Sequence, residues 1–405
     1  MKDCGIEWIG QIPDDWEVKR FKYCVEICNG RDYKDIEVDE GGFPVLGSGG
    51  EFARAKKYSY DKPSVLLGRK GTIDKPIYYD KPFWIVDTMF YTKISEYMNP
   101  RFTYYLATLI RFDYYSTQTA LPSMTQTDLG SEKLPVPNIT EQKLIADFLD
   151  KQTAKIDAII KTNEEQLEVL KKYKKSLITQ TVTKGLNKNA RMKDSGIEWI
   201  GKIPEEWNVS KIKYEVSQTG SGTTPDSGYL PYYENGTNNW IQSGDLYQKD
   251  YIRETETKIT DLAVRSSKSL RFYTKNFIVI AMYGASVGNI SLSLIDAYTN
   301  QACCTIKNNN ENSLKYMFYY LQMCHEHLLT LAVGGGQPNI SQVILKNLEF
   351  IKPKLNDQIE IANFLDEKLT KIEPIISQKQ QAIETMQKYK KSLIYEYVTG
   401  KKRIK

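Results

Sequence analysis

Residues 1–23, MKDCGIEWIGQIPDDWEVKRFKY, return almost intact at 192–214 as MKDSGIEWIGKIPEEWNVSKIKY, with 15 of 23 positions identical at an offset of 191. A second pair follows in the same order: 141–160 (EQKLIADFLDKQTAKIDAII) against 357–376 (DQIEIANFLDEKLTKIEPII), at an offset of 216. It continues as 170–185 against 386–401. Two matches in one order mean a duplicated unit, and a long internal period decides the architecture before any local pattern does. The interiors, 24–120 and 215–330, share little obvious identity. Like ends with unlike middles describe one scaffold presenting two different surfaces, which points to recognition of two different targets. The 405 residues leave room for two or three domains, each with its own core.

Each unit divides in two. The first parts, 1–140 and 192–356, are rich in Gly, Tyr and short β-prone runs such as Ser64–Leu67 and Phe277–Ala281, punctuated by Asn29-Gly30, Gly41-Gly42, Gly49-Gly50 and Asn235-Gly236. A short helix is expected from the Asn99 cap and Pro100 through Phe102–Leu109, with Lys315–Leu331 as its counterpart. This composition predicts an α+β globule in each unit. The second parts, 141–184 and 357–400, repeat apolar residues every seven positions: Leu149, Ile156, Leu170, Leu177 and Leu365, Ile372, Met386, Leu393. The companion lines Ile145, Gln152, Ile159, Gln166, Tyr173 and Ile361, Lys368, Ile375, Ala382, Tyr389 are mixed, and Ile160, Leu167, Ile376 and Ile383 widen the stripe. Such a ladder predicts a coiled coil between two long helices of one chain. Its polar layers, Asn163 and Lys379, are expected to face each other and fix register. Pro374 either opens the second long helix after a short one or kinks a continuous one. Residues 185–191 read as a linker and 401–405 as a basic tail.

Fifty-five Lys and Arg against fifty Asp and Glu leave +5, a weak excess compatible with a polyanion partner. No run approaches the roughly 18 apolar residues of a membrane helix. The start has no hydrophobic signal core, so a cytoplasmic, membrane-free setting is expected. Six cysteines without a CxxC read as reduced, small apolar residues. His325 and His327, two apart in a helical-looking run, face different directions and do not make a metal pair.

Enzyme signatures are missing. Asn99-Pro100-Arg101-Phe102 resembles the Asn-Pro-Pro-Phe loop of adenine methyltransferases, but Arg replaces the second Pro and no glycine-rich cofactor loop follows a strand elsewhere. Gly68-Arg69-Lys70-Gly71-Thr72 lacks the spacing of a phosphate loop. Gly220-Ser221-Gly222 and Gly334-Gly335-Gly336 are lone glycine runs. The chain is therefore expected to carry no catalytic, cofactor or metal site of its own.

The motif Gly5-Ile6-Glu7-Trp8-Ile9-Gly10…Ile12-Pro13…Trp16, its copy over 196–207, and the pair Leu121-Pro122-Ser123-Met124-Thr125…Leu134-Pro135-Val136-Pro137 and Gln337-Pro338-Asn339-Ile340-Ser341…Leu348…Pro353 resemble specificity subunits of type I restriction-modification enzymes. The likeness spans nearly the whole chain. The first unit has Leu121 where the second has Gln337, so a polar role there is not shared. The resemblance implies two target recognition domains, 1–140 and 192–356, held apart by an antiparallel helix pair. Each would read one half of a bipartite site in double-stranded DNA. It also implies two modification subunits carrying S-adenosylmethionine, and restriction subunits using ATP and Mg. Two other readings compete. One is an orphan scaffold that binds modification subunits without reading DNA; the other is a stand-alone methyltransferase, which a cofactor-binding test would reveal.

For a reader of this kind, phosphates call for Lys and Arg, and base edges for Arg, Lys, Asn, Gln, Ser or Thr on protruding loops. The first domain offers Arg54, Lys56, Lys57, Arg69 and Lys70. Gly-flanked turns of the second offer Ser221, Thr223, Asn238, Asn239, Ser243, Tyr283 and Ser286. The turn Arg69-Lys70 corresponds roughly to Met282-Tyr283, a difference that two unlike half-sites would require. Since Asn99 is read as a helix cap, Asn99→Ala should lower stability by roughly 0.5–2 kcal/mol in urea unfolding. No change in the midpoint would remove the cap assignment.

Overall fold

A computed structural model describes all residues except 113–122, 309, 335, 337 and 405. Leu121, Pro122 and Gln337 lie outside the described residues. The contacts divide the chain into two units, a discontinuous one of residues 1–165 with 380–405 and a continuous one of residues 166–379. The division falls inside the two long helices, α3 (Ile139–Lys184) and α6 (Leu355–Val398), not at the linker between the sequence repeats.

In the first unit, β1 (Glu17–Arg20) pairs antiparallel with β9 (Lys133–Val136), bringing the end of the globule back to its beginning. Between them, β2 (Val25–Asn29), β5 (Ser64–Gly68), β6 (Ile77–Tyr79) and β8 (Met89–Ile94) form an antiparallel sheet in the order β2-β8-β5-β6. The β5 run Ser-Val-Leu-Leu-Gly is buried throughout, as a central strand must be. Where the β5–β8 backbones diverge, buried hydroxyls complete the ladder: Val65 N–H donates to Thr92 Oγ1 and Thr92 N–H to Ser64 Oγ, both at 2.9 Å. A smaller sheet, β4-β3-β7, joins β3 (Phe43–Gly47) to β4 (Gly50–Ala55) as a hairpin and to β7 (Trp84–Ile85) in parallel. Helix α1 (Pro100–Ala107) starts as the sequence predicts, with Asn99 Oδ1 accepting from Phe102 N–H at 2.9 Å. Helix α2 (Gln126–Ser131) opens on a capping box of Thr125 and Asp128.

The second unit repeats this plan with one addition. Strands β10 (Asn208–Lys211) and β19 (Glu349–Lys352) close the globule. The sheet order is β11-β18-β15-β16-β13, from β11 (Gln218–Ser221), β13 (Tyr251–Ile252), β15 (Phe277–Ala281), β16 (Ile290–Ser293) and β18 (Cys303–Lys307). The fifth strand, β13, runs parallel to β16 and has no partner in the first unit's sheet. The small sheet is β14-β12-β17, from β12 (Asn238–Ile241), β14 (Lys258–Ile259) and β17 (Tyr298–Thr299). The single helix expected over 315–331 is two, α4 (Glu311–Met323) and a turn and a half from His325 to Thr330, meeting at the buried Cys324. A short α5 (Gln342–Asn347) precedes β19.

Within each unit, one segment of each long helix runs antiparallel to one segment of the other. In the first unit Trp16 donates its indole N–H to Glu141 in the first turn of α3 at 3.1 Å, and the same ring meets Gly400 just past the end of α6. Further along, Lys390 pairs with Asp157 at 2.7 Å. In the second unit Trp207 donates to Asp357 at the start of α6 at 3.1 Å and packs on Gly185 just past α3, while Lys174 pairs with Glu373 at 3.3 Å. Gly185 and Gly400 both have φ of +70°, and a Cβ on Gly185 would stand 3.0 Å from the Trp207 ring. Glycine thus supplies both the left-handed cap and the room for the indole.

The seam differs from the sequence expectation on one side. Leu149, Ile156, Leu365, Ile372 and Leu393 are buried as predicted. The companion line is buried only at its first positions, Ile145 and Ile361; beyond them it turns outward, with Ile159, Tyr173, Ile375 and Tyr389 all more than 40% exposed. The buried companions are Thr153, Leu167, Leu369 and Ile383, one position further on. That flank also carries Lys174 and Thr181, so its hydropathy understates its burial. Asn163 and Lys379 are both half-buried, and Asn163 donates its amide to Ile159 O in its own helix. Pro374 sits inside a continuous α6, which resolves the alternative left by the sequence.

Lys174 does more than its counterpart Lys390. It also bonds Asp250, on the segment leading into β13, and Gln322 Nε2 donates to that carboxylate at 3.0 Å. Burial raises the Glu373 carboxyl above its usual range. Lys174→Met would leave two carboxylates facing each other half-buried, whereas Lys390→Met would leave only Asp157, which is largely exposed. Urea unfolding should show a cost of about 2 kcal/mol for the first and under about 1 kcal/mol for the second. Equal costs would contradict the clamp.

Candidate nucleic-acid interface

The two globules place equivalent turns at the ends of their central strands. After β5, Arg69 N–H donates to Thr88 O at 2.9 Å and Arg69 O accepts from Met124 N–H at 2.9 Å. After β15, Met282 N–H donates to Ala302 O and Met282 O accepts from Ile340 N–H, both at 2.7 Å. The glycines that follow, Gly71 and Gly284, have φ of +81° and +87°. The correspondence read loosely from sequence is therefore a structural equivalence: Arg69-Lys70 and Met282-Tyr283 occupy one position in two copies of one framework. The turn is basic in one copy and neutral in the other.

In the first globule, Lys56, Lys57 and Lys70 are exposed and, among the described residues, carry no side-chain hydrogen bond or ion pair. Lys70 also forms a β-bridge with Ser123, tying the turn to the segment entering α2. Arg69 is partly committed, donating to Asp87 O at 3.2 Å and lying over Phe90. Arg54 is fully committed: it grips the carbonyls of Gly41 and Gly42 and pairs with Glu51 at 2.8 Å. Its guanidinium holds the loop before β3.

In the second globule the candidates are dispersed. Asn238 donates to Asp261 at 2.9 Å and to Ile259 O, and Asn239 to Asp296 O at 3.0 Å. Ser221 accepts from Gln342 at 2.8 Å, joining β11 to α5. Thr223 is half-buried, and its carbonyl takes the Trp240 indole N–H. Ser286 is buried. Ser243 lies beside the turn, its Oγ 3.9 Å from where a Cβ on Gly284 would be. Tyr283 is half-buried, and burial pushes its hydroxyl pKa up. The basic residue that the Gly-flank criterion passed over is Arg271. No glycine neighbours it in sequence, and only the fold brings it against Gly220.

Among the described residues, no group of three His, Cys, Asp or Glu side chains is placed to hold a metal. Nor, among these residues, is any helix long and apolar enough to cross a membrane.

A family profile described as Type I restriction modification DNA specificity domain matches residues 13–169 and again 204–385. The Type I restriction enzyme MjaVIII specificity subunit of Methanocaldococcus jannaschii is 26% identical over 431 residues, covering 98% of this chain and 95% of the relative. The Type I restriction enzyme EcoR124I/EcoR124II specificity subunit of Escherichia coli is 22% identical over 316 residues, covering 72% and 71%. A solved structure described as "Structural basis underlying complex assembly and conformational transition of the type I R-M system" shares the fold, with a TM-score of 0.63 at 11% identity over 96% of this chain and 99% of that one. Matched twice and over most of its length, the chain belongs to the type I restriction-modification DNA specificity family.

Proposed function

We propose that this chain supplies sequence recognition to a type I restriction-modification assembly, each of its two recognition domains reading one half of a bipartite site in double-stranded DNA. Two modification subunits dock on it and bring S-adenosylmethionine and the adenine methylation chemistry. Restriction subunits, where present, add ATP- and Mg-dependent steps. The chain itself binds, orients and selects.

The observation that supports this reading is the pair of equivalent turns. Arg69-Lys70 and Met282-Tyr283 stand at matching places on matching frameworks, yet one carries two cations and the other a buried thioether and a half-buried phenol. Conserving the frame while changing the chemistry of one turn is how one scaffold comes to read two sequences. An orphan scaffold that only bound other subunits would gain nothing from that difference.

The test exchanges residues 24–120 for the corresponding middle of a related specificity subunit. Adenine methylation is then mapped across the genome of cells that also carry the modification subunit. One half of the methylated motif should change and the other stay as it was. A change in both halves would refute modular reading, and an unchanged motif would place recognition outside the middle.

A further inference from the structure

The two small sheets carry a second equivalence. Tyr60 bridges to Phe83 immediately before β7, and Tyr273 bridges to Ala297 immediately before β17. These strands pair in parallel with β3 and β12, with Val45 opposite Trp84 and Trp240 opposite Tyr298. Tyr60 and Tyr273 therefore match, and so do the residues two before them, Tyr58 and Arg271. In the first globule this stretch is Lys56-Lys57-Tyr58, two free cations and an exposed aromatic. In the second it holds Lys268, Arg271 and Phe272, again exposed cations beside an exposed aromatic, with Phe272 packed 5.4 Å from Tyr298.

Arg271 stands apart from ordinary surface cations in how it is seated. Its guanidinium lies against the backbone of β11 at Gly220, where a Cβ would be 2.5 Å from Nη1 and 3.0 Å from the Tyr273 hydroxyl. Only glycine leaves that seat open. The strand beneath is fixed, since Thr305 Oγ1 donates to Gly220 O at 3.0 Å and Ser221 accepts from Gln342. Tyr273 is buried, and its hydroxyl has no hydrogen-bond partner. Among the described residues, no carboxylate, carbonyl or ring engages the Arg271 guanidinium. An exposed fork of donors, lying against β11 and without an acceptor of its own, is open to one from outside the chain.

We propose that Arg271 is a DNA-contacting residue of the second recognition domain, its fork taking a paired acceptor: the O6 and N7 edge of a guanine or two oxygens of a phosphate. The proposal rests on the DNA-reading function argued above and assigns that function to a residue. The geometric match extends it to the first domain, where Tyr58 holds the equivalent position and Lys56 and Lys57 directly precede it.

Arg271→Ala and Arg271→Lys, each assembled with the modification subunits, separate the two acceptors. Duplex affinity is measured across a series of salt concentrations, and methylated adenines are mapped. A base contact predicts that one position of the second half-site loses its preference by roughly 5- to 150-fold in both variants, with the first half-site unchanged. A phosphate contact predicts a uniform loss of affinity in Arg271→Ala, a salt slope lower by about one, and substantial recovery in Arg271→Lys. Either result supports the proposal. Wild-type affinity, salt slope and motif in Arg271→Ala would overturn it while leaving the reading function in place. Altered preference in the first half-site would overturn it as well. Failure of the wild-type assembly to select any sequence would instead remove the function on which it rests.

Discussion

The indoles of Trp16 and Trp207 do the same work in the two units, and the rest of the structure hangs from them. Each ring lies buried, gives its one N–H to a carboxylate in the first turn of a long helix, and sets its six-membered ring against the glycine that ends the other. A carboxylate at a helix N-terminus is favourable in its own right, and charge-assisted acceptance from an indole makes the pairing directional. One side chain thereby ties the globule to the beginning of one helix and the end of another. In the first unit Arg403 adds a second clasp, gripping Asp15 and Glu141 together and holding the Asp15 carboxyl below its usual range. In the second unit the corresponding Glu206 is instead paired with Lys354.

Around these anchors the repeated segments supply a framework that recurs nearly atom for atom. Gln142 and Gln358 donate to Pro137 O and Pro353 O at the same 2.9 Å, and Asp150 and Asp366 each receive a tyrosine hydroxyl and a cation from the helix that follows the sheet. Departures come from the middles. The second unit inserts β13 and, through Asp250, reaches into the helix pair to share Lys174 with Glu373. The first unit leaves the matching Lys390–Asp157 pair alone and more exposed. Variation is admitted where a globule faces outward or adds a contact, and the shared joints stay as they are.

Much of this was legible in the sequence, because repetition and seven-residue periodicity are properties of the chain itself. The duplicated ends, the two long helices and the Asn99 cap needed no coordinates. The side of the seam was hidden because its buried flank is written with Thr153, Lys174 and Thr181, whose burial depends on which side the neighbouring helix lies. The interface was harder still. Arg54 looked like a free cation because nothing in a sequence shows that two carbonyls already hold it. Arg271 was overlooked because the glycine that seats it, Gly220, is fifty-one residues away in sequence. Donor-bearing side chains are common, and only the fold distinguishes those already occupied from those left open.

The central claim is that the shared framework is indifferent to which middle it carries, and that the middle alone decides what is read. Building the chain so that residues 215–348 are replaced by 24–132 puts the first middle on both frames, with one join in the short helical turn after the opening strand and the other at the start of the closing strand of each globule. Adenine methylation mapped across a genome carrying this chain and its modification subunit should then show a motif whose two halves are the same sequence. A folded, methylating assembly that keeps its original second half-site would contradict the account.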